Sequence, residues 1–246
     1  MKFFHTDLSA CNAGLSHQMS NFNTLIRYCY HNNLKLIKPI FTLTGVHNNN
    51  KTLKSDLSKY YNLDDLTIDD KPFTLYDYDN NIHNNENTIK YKAKNSLIRM
   101  DKGFADLSGV VNVPYVKEII NISNYVSSKF NDYMCIHVRR GDRITNRQKD
   151  IDTKPNNIKN IIDKYNINIV YIMTNRVNEI KGIVSLVDNV KIYFYTDFDI
   201  LKKIDDNYYL FCIENNIMNS ATIRCSTFNT NNDFYHCYLS NHKGCQ

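Results

Sequence analysis

The stretch of this chain best suited to chemistry is His137-Val138-Arg139-Arg140-Gly141-Asp142. It follows the apolar run Tyr133-Met134-Cys135-Ile136, so two adjacent arginines stand just past a segment that reads as a buried strand. Guanidinium groups are costly there unless they meet an anion, and a guanidinium fork offers parallel donors to two oxygens of a phosphate. Adjacent side chains on such a loop diverge. One arginine is therefore expected to face a ligand and the other to hold the loop, through a carboxylate such as Asp142. On spacing alone a second reading stays open, a solvated pair bonded to nearby carboxylates. Arg140-Gly141-Asp142 also spells an adhesion tripeptide, but that function needs a protruding loop rather than a strand edge.

The elements that must position these residues follow from hydrophobic period and turn signals. Gly14 opens a segment whose apolar positions 15, 19, 22, 25, 26 and 29 recur at helical spacing, and Leu34-Lys35-Leu36-Ile37 alternates like a strand before Pro39. Residues 45–100 are polar and Asn-rich, with one helix expected over Thr52–Tyr61. Val113–Phe130 reads as a helix with Pro114 in its first turn. Beyond residue 131, strands are expected at Tyr133–Val138, Ile167–Met173, Val190–Tyr195 and Ala221–Cys225. Between them lie helical patterns at Ile158–Tyr165 and Val177–Val187, the apolar stretch Tyr208–Ile213 and a helix around Glu214–Asn219. Alternating strands and helices imply an α/β fold with a mainly parallel sheet. Ligands of such sheets bind beyond the carboxyl ends of the strands. Those ends carry His137/Arg139, Thr174/Asn175, Thr196/Asp197 and Ser226/Thr227, a polar rim on an apolar sheet.

Composition sets the outer limits. Hydrophobic residues at 42% and charged residues at 22% describe a globular chain, and 246 residues suffice for one large α/β domain or two small ones. The net charge of +5 is mild and scattered, which argues against a nucleic-acid or polyanion binder. No run approaches the ~18 apolar residues of a membrane span. The opening Met1-Lys2-Phe3-Phe4-His5-Thr6-Asp7 turns polar too soon for a signal peptide, so a cytoplasmic location is expected. The seven cysteines have no repeating spacing; a disulfide framework is not expected, and Cys135, Cys212 and Cys225 read as small hydrophobes. Cys225, His236, Cys237, His242 and Cys245 crowd the C-terminus, but adjacent His236-Cys237 is a poor chelating spacing, and no metal site is expected. The abundance of Asn, Lys, Ile and Tyr fits A/T-rich codons better than any function.

His-Val-Arg-Arg-Gly-Asp after a hydrophobic strand resembles the first donor-binding motif of the GDP-fucose-dependent fucosyltransferase superfamily, which includes α1,2-, α1,6- and protein O-fucosyltransferases. Two further stretches agree in order. Gly14-Leu15-Ser16-His17-Gln18-Met19, followed by a helix and Leu34–Pro39, is similar to the family's Gly-Leu-Gly-Asn-Gln-Met opening, with His17 in place of its Asn. Glu214–Ala221 and then Cys225-Ser226-Thr227-Phe228 resemble its last motif. The resemblance leaves roughly residues 45–110 unmatched.

What it implies is specific. The fold would be GT-B-like, two Rossmann-like halves with mainly parallel sheets facing a cleft: 1–130 on the acceptor side and 131–246 on the GDP-sugar side. The activity would be an inverting, metal-independent transfer of fucose from GDP-fucose to a hydroxyl of a glycan or protein. Arg139 would stabilise the departing diphosphate; His137, Glu214, Ser226, Thr227 and Phe228 would contact the donor, Glu214 through guanine. Gly14, His17 and Asp142 fall on the acceptor side or in structural places, and Asp142, Asp7 and His17 are candidates for the base by location. The alternatives are a GDP-sugar- or nucleotide-binding protein of the same fold without activity, and an RNA- or polyanion-binding protein using the arginine cluster.

Overall fold

Alternation at the very start of the chain builds the first sheet. In the computed structural model, β1 (Lys2–Asp7) buries Phe4 and Thr6 while Lys2, Phe3, His5 and Asp7 are more open. Residues 2–8, 11–83, 86–105, 107–140, 150, 153–226 and 236–239 are described. A 17-residue helix, α1 (Leu15–His31), follows and presents Leu15, Phe22, Leu25, Ile26 and Cys29 to the core. Asn32 ends it, and Asn33 takes a left-handed conformation (φ 51°), a backbone that asparagine tolerates better than most residues. The chain then enters β2 (Leu34–Leu36), parallel to β1. On the other side of β1 lies β3 (Thr88–Lys92), also parallel, so the order is β2-β1-β3.

Two smaller three-stranded sheets complete this first unit, which comprises Met1–Lys117 with Asp206–Tyr209. One joins Asn12–Ala13, Phe41–Leu43 and Leu53–Ser55; the other joins Lys71–Pro72, Thr67–Ile68 and Val111–Asn112. The helix expected over Thr52–Tyr61 is absent: Leu53–Ser55 is a strand, and Leu57 sits at φ 73°, which a helix cannot contain. Val113–Phe130 is helical only over α2 (Lys117–Ser127), because Tyr115 bridges to Tyr61 and keeps Pro114 extended outside the helix.

The second unit, Glu118–Asp205 with Leu210–Gln246, is built on β4 (Met134–His137). The chain continues through α3 (Pro155–Ile162), with Pro155 at its first turn, to β5 (Ile169–Met173) and β6 (Lys191–Tyr193). The 177–187 segment is helical only over Val177–Ile180 and then tightens into a 3-10 turn, Lys181–Ser185. Tyr208–Ile213 and Glu214–Asn219 form one helix, α4 (Asn207–Ser220). β7 (Ile223–Ser226) returns beside β4, and β8 (His236–Leu239) pairs antiparallel with it. The order is β6-β5-β4-β7-β8, with the first four strands parallel.

Strand alternation sorts the two faces of this sheet. Met134, Ile136 and Val138 join Ile158, Ile161 and Ile162 of α3 and Val170 and Ile172 of β5 in one apolar cluster. Cys135 and Tyr171 look the other way, where α4 lies: the Tyr133 hydroxyl donates to the Ile217 carbonyl at 2.5 Å, and the Tyr171 hydroxyl to Glu214 at 2.8 Å. Cys225 is disulfide-bonded, which corrects its reading as a reduced thiol, whereas Cys11, Cys29, Cys135 and Cys212 are free and buried. Among the described residues no helix is long and apolar enough to cross a membrane.

Candidate functional site

The strand order of the second unit creates a topological switch point. From β4 the chain steps outward to β5 and β6, then returns to place β7 on the opposite flank of β4. The strand order thus reverses between β4 and β7, and the carboxyl ends at such a point are where α/β sheets take ligands. In register, His137 is level with Met173 of β5 and with Ser226 of β7. The two motifs far apart in sequence thus end in one row. Thr227 and Phe228, which continue the second motif, lie outside the described residues, as does Asp142.

The paired arginines divide their labour as alternation demands. Val138 extends the ladder, donating its N–H to the Met173 carbonyl at 2.8 Å, and packs into the apolar cluster. Arg140 emerges on that same face and is buried at 6% exposure. Its Nε donates to Glu179 at 2.7 Å, Nη1 to the Thr153 hydroxyl at 2.6 Å and to the Asp150 carbonyl at 3.2 Å, and Nη2 to the Asp150 carboxylate. Burial works against its charge, yet these partners hold the guanidinium above its ordinary pKa. Arg140 is held in place, and its described anchors are Asp150, Thr153 and Glu179; Asp142, named for that part, lies outside the described residues.

Arg139 takes the opposite direction and shares the side of His137. It is half-buried. Burial, and then the positive charge of Arg139, lower the His137 pKa to about 4, so the imidazole is neutral at physiological pH. The His137 ring stands 6.3 Å from Phe211 of α4 in an edge-on arrangement. The row thus offers a neutral imidazole, a guanidinium and the Ser226 hydroxyl position, with cationic charge concentrated on Arg139.

Glu214 lies elsewhere. It is 5% exposed on α4, against the middle of the sheet, where its Oε1 accepts from Tyr171, a residue level with Cys135 rather than with His137. Burial pushes its carboxyl up to about 8, against the effect of the Tyr171 hydrogen bond, so it is mostly protonated at neutral pH. The structure does not bring Glu214 into the row formed by His137 and Ser226. Thr174, another residue of the expected rim, is buried and turns its hydroxyl to the Arg176 N–H at 3.2 Å; Asp197 caps its own 3-10 turn by accepting from the Phe194 N–H at 2.8 Å.

In the first unit, Gly14 is the N-cap of α1, and a Cβ there would come within 3.3 Å of the His47 ring. His17 is exposed on the first turn of α1. Asp7 ends β1 beside Lys92 of β3 at 3.9 Å. What the sequence reading missed is the polar pair behind His17. Gln18 is fully buried and donates to the carbonyls of Cys11 and Thr42; its own Oε1 accepts from Asn21 at 3.1 Å. Asn21 donates to the Ser96 carbonyl at 2.9 Å and accepts from the Ile98 N–H at 3.0 Å. The available signal was a pair of amides at positions 18 and 21, three apart, among the mostly apolar residues of the helix's buried face.

Neither a family model nor a curated protein matches the amino-acid sequence. Solved structures do. The α-1,6-fucosyltransferase NodZ soaked with GDP-fucose matches with a TM-score of 0.55 and 10% identity, over 97% of this chain and 99% of that chain. NodZ from Bradyrhizobium matches at 0.53 and 9%, over the same shares. POFUT1 in complex with GDP matches at 0.53 and 9%, over 92% of this chain and 90% of that one. The chain therefore has the fold of these fucosyltransferases, an α/β fold of the GT-B type with mainly parallel sheets.

Proposed function

We propose that this protein is an inverting glycosyltransferase that moves fucose from GDP-fucose to an acceptor hydroxyl, with the second unit taking the donor and the first the acceptor. The observation that carries the reading is the row at the switch point of the second sheet. His137 and Ser226 stand level there, Arg139 shares the side of His137, and Arg140 is committed to the loop. The fold shared with structures that hold GDP or GDP-fucose supports the same donor class here.

In this reading the bond between the sugar anomeric carbon and the β-phosphate oxygen breaks as the acceptor oxygen attacks from the opposite face. The acceptor proton leaves to a base, and GDP departs with an added negative charge on its β-phosphate. Arg139 supplies a fixed cation and parallel donors where that charge develops, the kind of preorganised stabilisation that dominates many active sites. His137, neutral, binds as a hydrogen-bonding ring without adding a second charge; Ser226 and the following Thr227-Phe228 loop complete the diphosphate contacts. Glu214, held by Tyr171 inside the sheet–helix interface, takes a supporting role behind the site rather than a direct one on guanine.

Thermal unfolding with GDP, GDP-fucose, GDP-mannose, UDP-sugars and a short RNA, followed by turnover assays, tests the proposal. Stabilisation by GDP and GDP-fucose with transfer to an acceptor is expected. A response to GDP with no turnover on any acceptor would replace it with a nucleotide-binding protein of the same fold. A response to RNA alone would overturn the donor assignment.

A further inference from the structure

The positive excess of this chain is mild, but it is not evenly spread. Residues 88–102 hold Lys90, Lys92, Lys94, Arg99 and Lys102 against one acid, Asp101, and so account for most of the net +5. All five cations are exposed. Lys92 meets Asp7 loosely, at 3.9 Å; the other four make no ion pair among the described residues. The one acid faces inward. Asp101 is 6% exposed, and its carboxylate accepts from the Tyr91 hydroxyl, the Asn95 side-chain amide and, at 3.0 Å, the Lys94 N–H. Burial opposes its charge, yet these hydrogen bonds hold its carboxyl below the ordinary range, so it stays ionised as the internal tie of the loop after β3. From α1, the Asn21 side chain bridges the Ser96 carbonyl and the Ile98 N–H, and Ile98 is fully buried. The 3-10 turn Ile98–Met100 is thereby held from below, with Arg99 and Met100 outward. Met100 is 69% exposed, and a Cβ added to Gly103, at φ 94°, would meet nothing within 4 Å. The loop thus presents a supported tip, one long apolar side chain between two cations.

Ordinary explanations cover only part of this arrangement. Lysines on an edge strand discourage pairing with other chains, and β3 is an edge, so Lys90 and Lys92 are accounted for in that way. Lys94, Arg99 and Lys102 lie past the strand, where there is no edge to guard. Solubility explains cations at the tip, but not a methionine exposed among them. The combination fits a surface that is anionic outside and apolar just beneath. A bilayer with anionic headgroups offers both, and basic clusters of ~4–8 residues are the size that recognises it. Single-stranded nucleic acid would call for exposed aromatic rings on which bases stack. The only aromatic residue of the segment, Tyr91, is half-buried and donates its hydroxyl to Asp101.

We infer that the loop following β3 docks this protein on an anionic phospholipid surface, with its cations at the headgroups and Met100 in the interface. This goes beyond the donor reading and stands without it. The chain contains no tryptophan, so Met100→Trp installs a sole indole at the tip. On vesicles of phosphatidylcholine mixed with phosphatidylglycerol its emission should shift to the blue, and on phosphatidylcholine alone it should not. Val184→Trp, at a position 51% exposed in the second unit, should show no shift on either. In flotation assays at low salt the unmodified protein should rise with the mixed vesicles, and added salt should release it. Arg99→Gln and Lys102→Gln, both at exposed positions, should each weaken that binding about fivefold. Four results would overturn the inference: no flotation with the mixed vesicles; no blue shift from the Met100→Trp protein, or an equal one from Val184→Trp; binding untouched by both charge substitutions; or tighter binding to a short RNA than to the vesicles, which would make the patch a polyanion site instead.

Discussion

Two neighbouring arginines should give opposite signatures. Arg139→Ala is expected to lower turnover by about 10²–10³, the usual loss for one transition-state donor. Arg139→Lys should recover little of it, since a point charge cannot reproduce the fork; near-normal transfer by that variant would take Arg139 out of its assigned role. Arg140→Met removes hydrogen bonds to Glu179, Asp150 and Thr153, and should cost stability by about 1.5–3 kcal/mol, read as a lower urea midpoint. Glu214 makes a pH prediction. Its folded pKa, about 8 against 4.5, means the native state keeps a proton that the unfolded chain has lost, so stability falls as pH rises through that window. His137, lowered from 6.5 to about 4, works in the other sense: the unfolded chain binds the extra proton, so stability grows as pH rises from about 4 to 6.5 and is level above. Between about pH 4.5 and 6.5 the two oppose each other, so Glu214→Gln should flatten the decline between pH 6.5 and 8 and steepen the rise below 6.5, as followed by urea midpoints across pH. The divergence of the two arginines was legible because it follows from adjacency after a strand. The burial of Glu214 was not, because an acidic residue in a helical pattern gives no sign of which face it occupies until the sheet beneath it is known.

At the scale of elements, α1 depends on amides as much as on its apolar stripe. Gln18→Leu keeps the volume but strips the donors from the Cys11 and Thr42 carbonyls, and each orphaned acceptor costs about 1–3 kcal/mol. Limited proteolysis should then cut sooner near residues 11–14 and 40–44, and cleavage at the wild-type rate would show that these carbonyls find other partners. Helix α1 and strand β2 were readable in the sequence because spacings of three and four, then strict alternation, belong to different periods. The strand β1 was not, since its alternation of buried Phe4 and Thr6 with half-buried His5 and Asp7 mimics a polar N-terminus. Residues 45–100 resisted reading for a related reason: their strands are two to five residues long, too short to display a period. Tyr208–Ser220 shows the reverse failure. Apolar residues all round the first half of α4 hide a helix that is covered on several sides.

For the whole molecule, the scattered charge predicts how binding responds to salt. GDP stabilisation is expected to persist as salt rises from about 50 to 200 mM, because the one guanidinium of Arg139 and neutral donors carry it. A steep fall over that range would instead mark a polyanion surface. The α/β class and the parallel second sheet were legible from alternating patterns, whereas strand order was not, because periodicity says nothing of which neighbour a strand chooses. That choice has a consequence for biosynthesis. β7 reaches the flank of β4 only after some ninety intervening residues have been made, from His137 to Ser226. Until it arrives, a nascent chain carries β4 as a bare edge of unpaired amides and carbonyls, the template on which strands of other chains aggregate. The ledge proposed to receive a nucleotide thus comes into being only once β7 has been made, and the period before its closure is when the growing polypeptide most needs a chaperone.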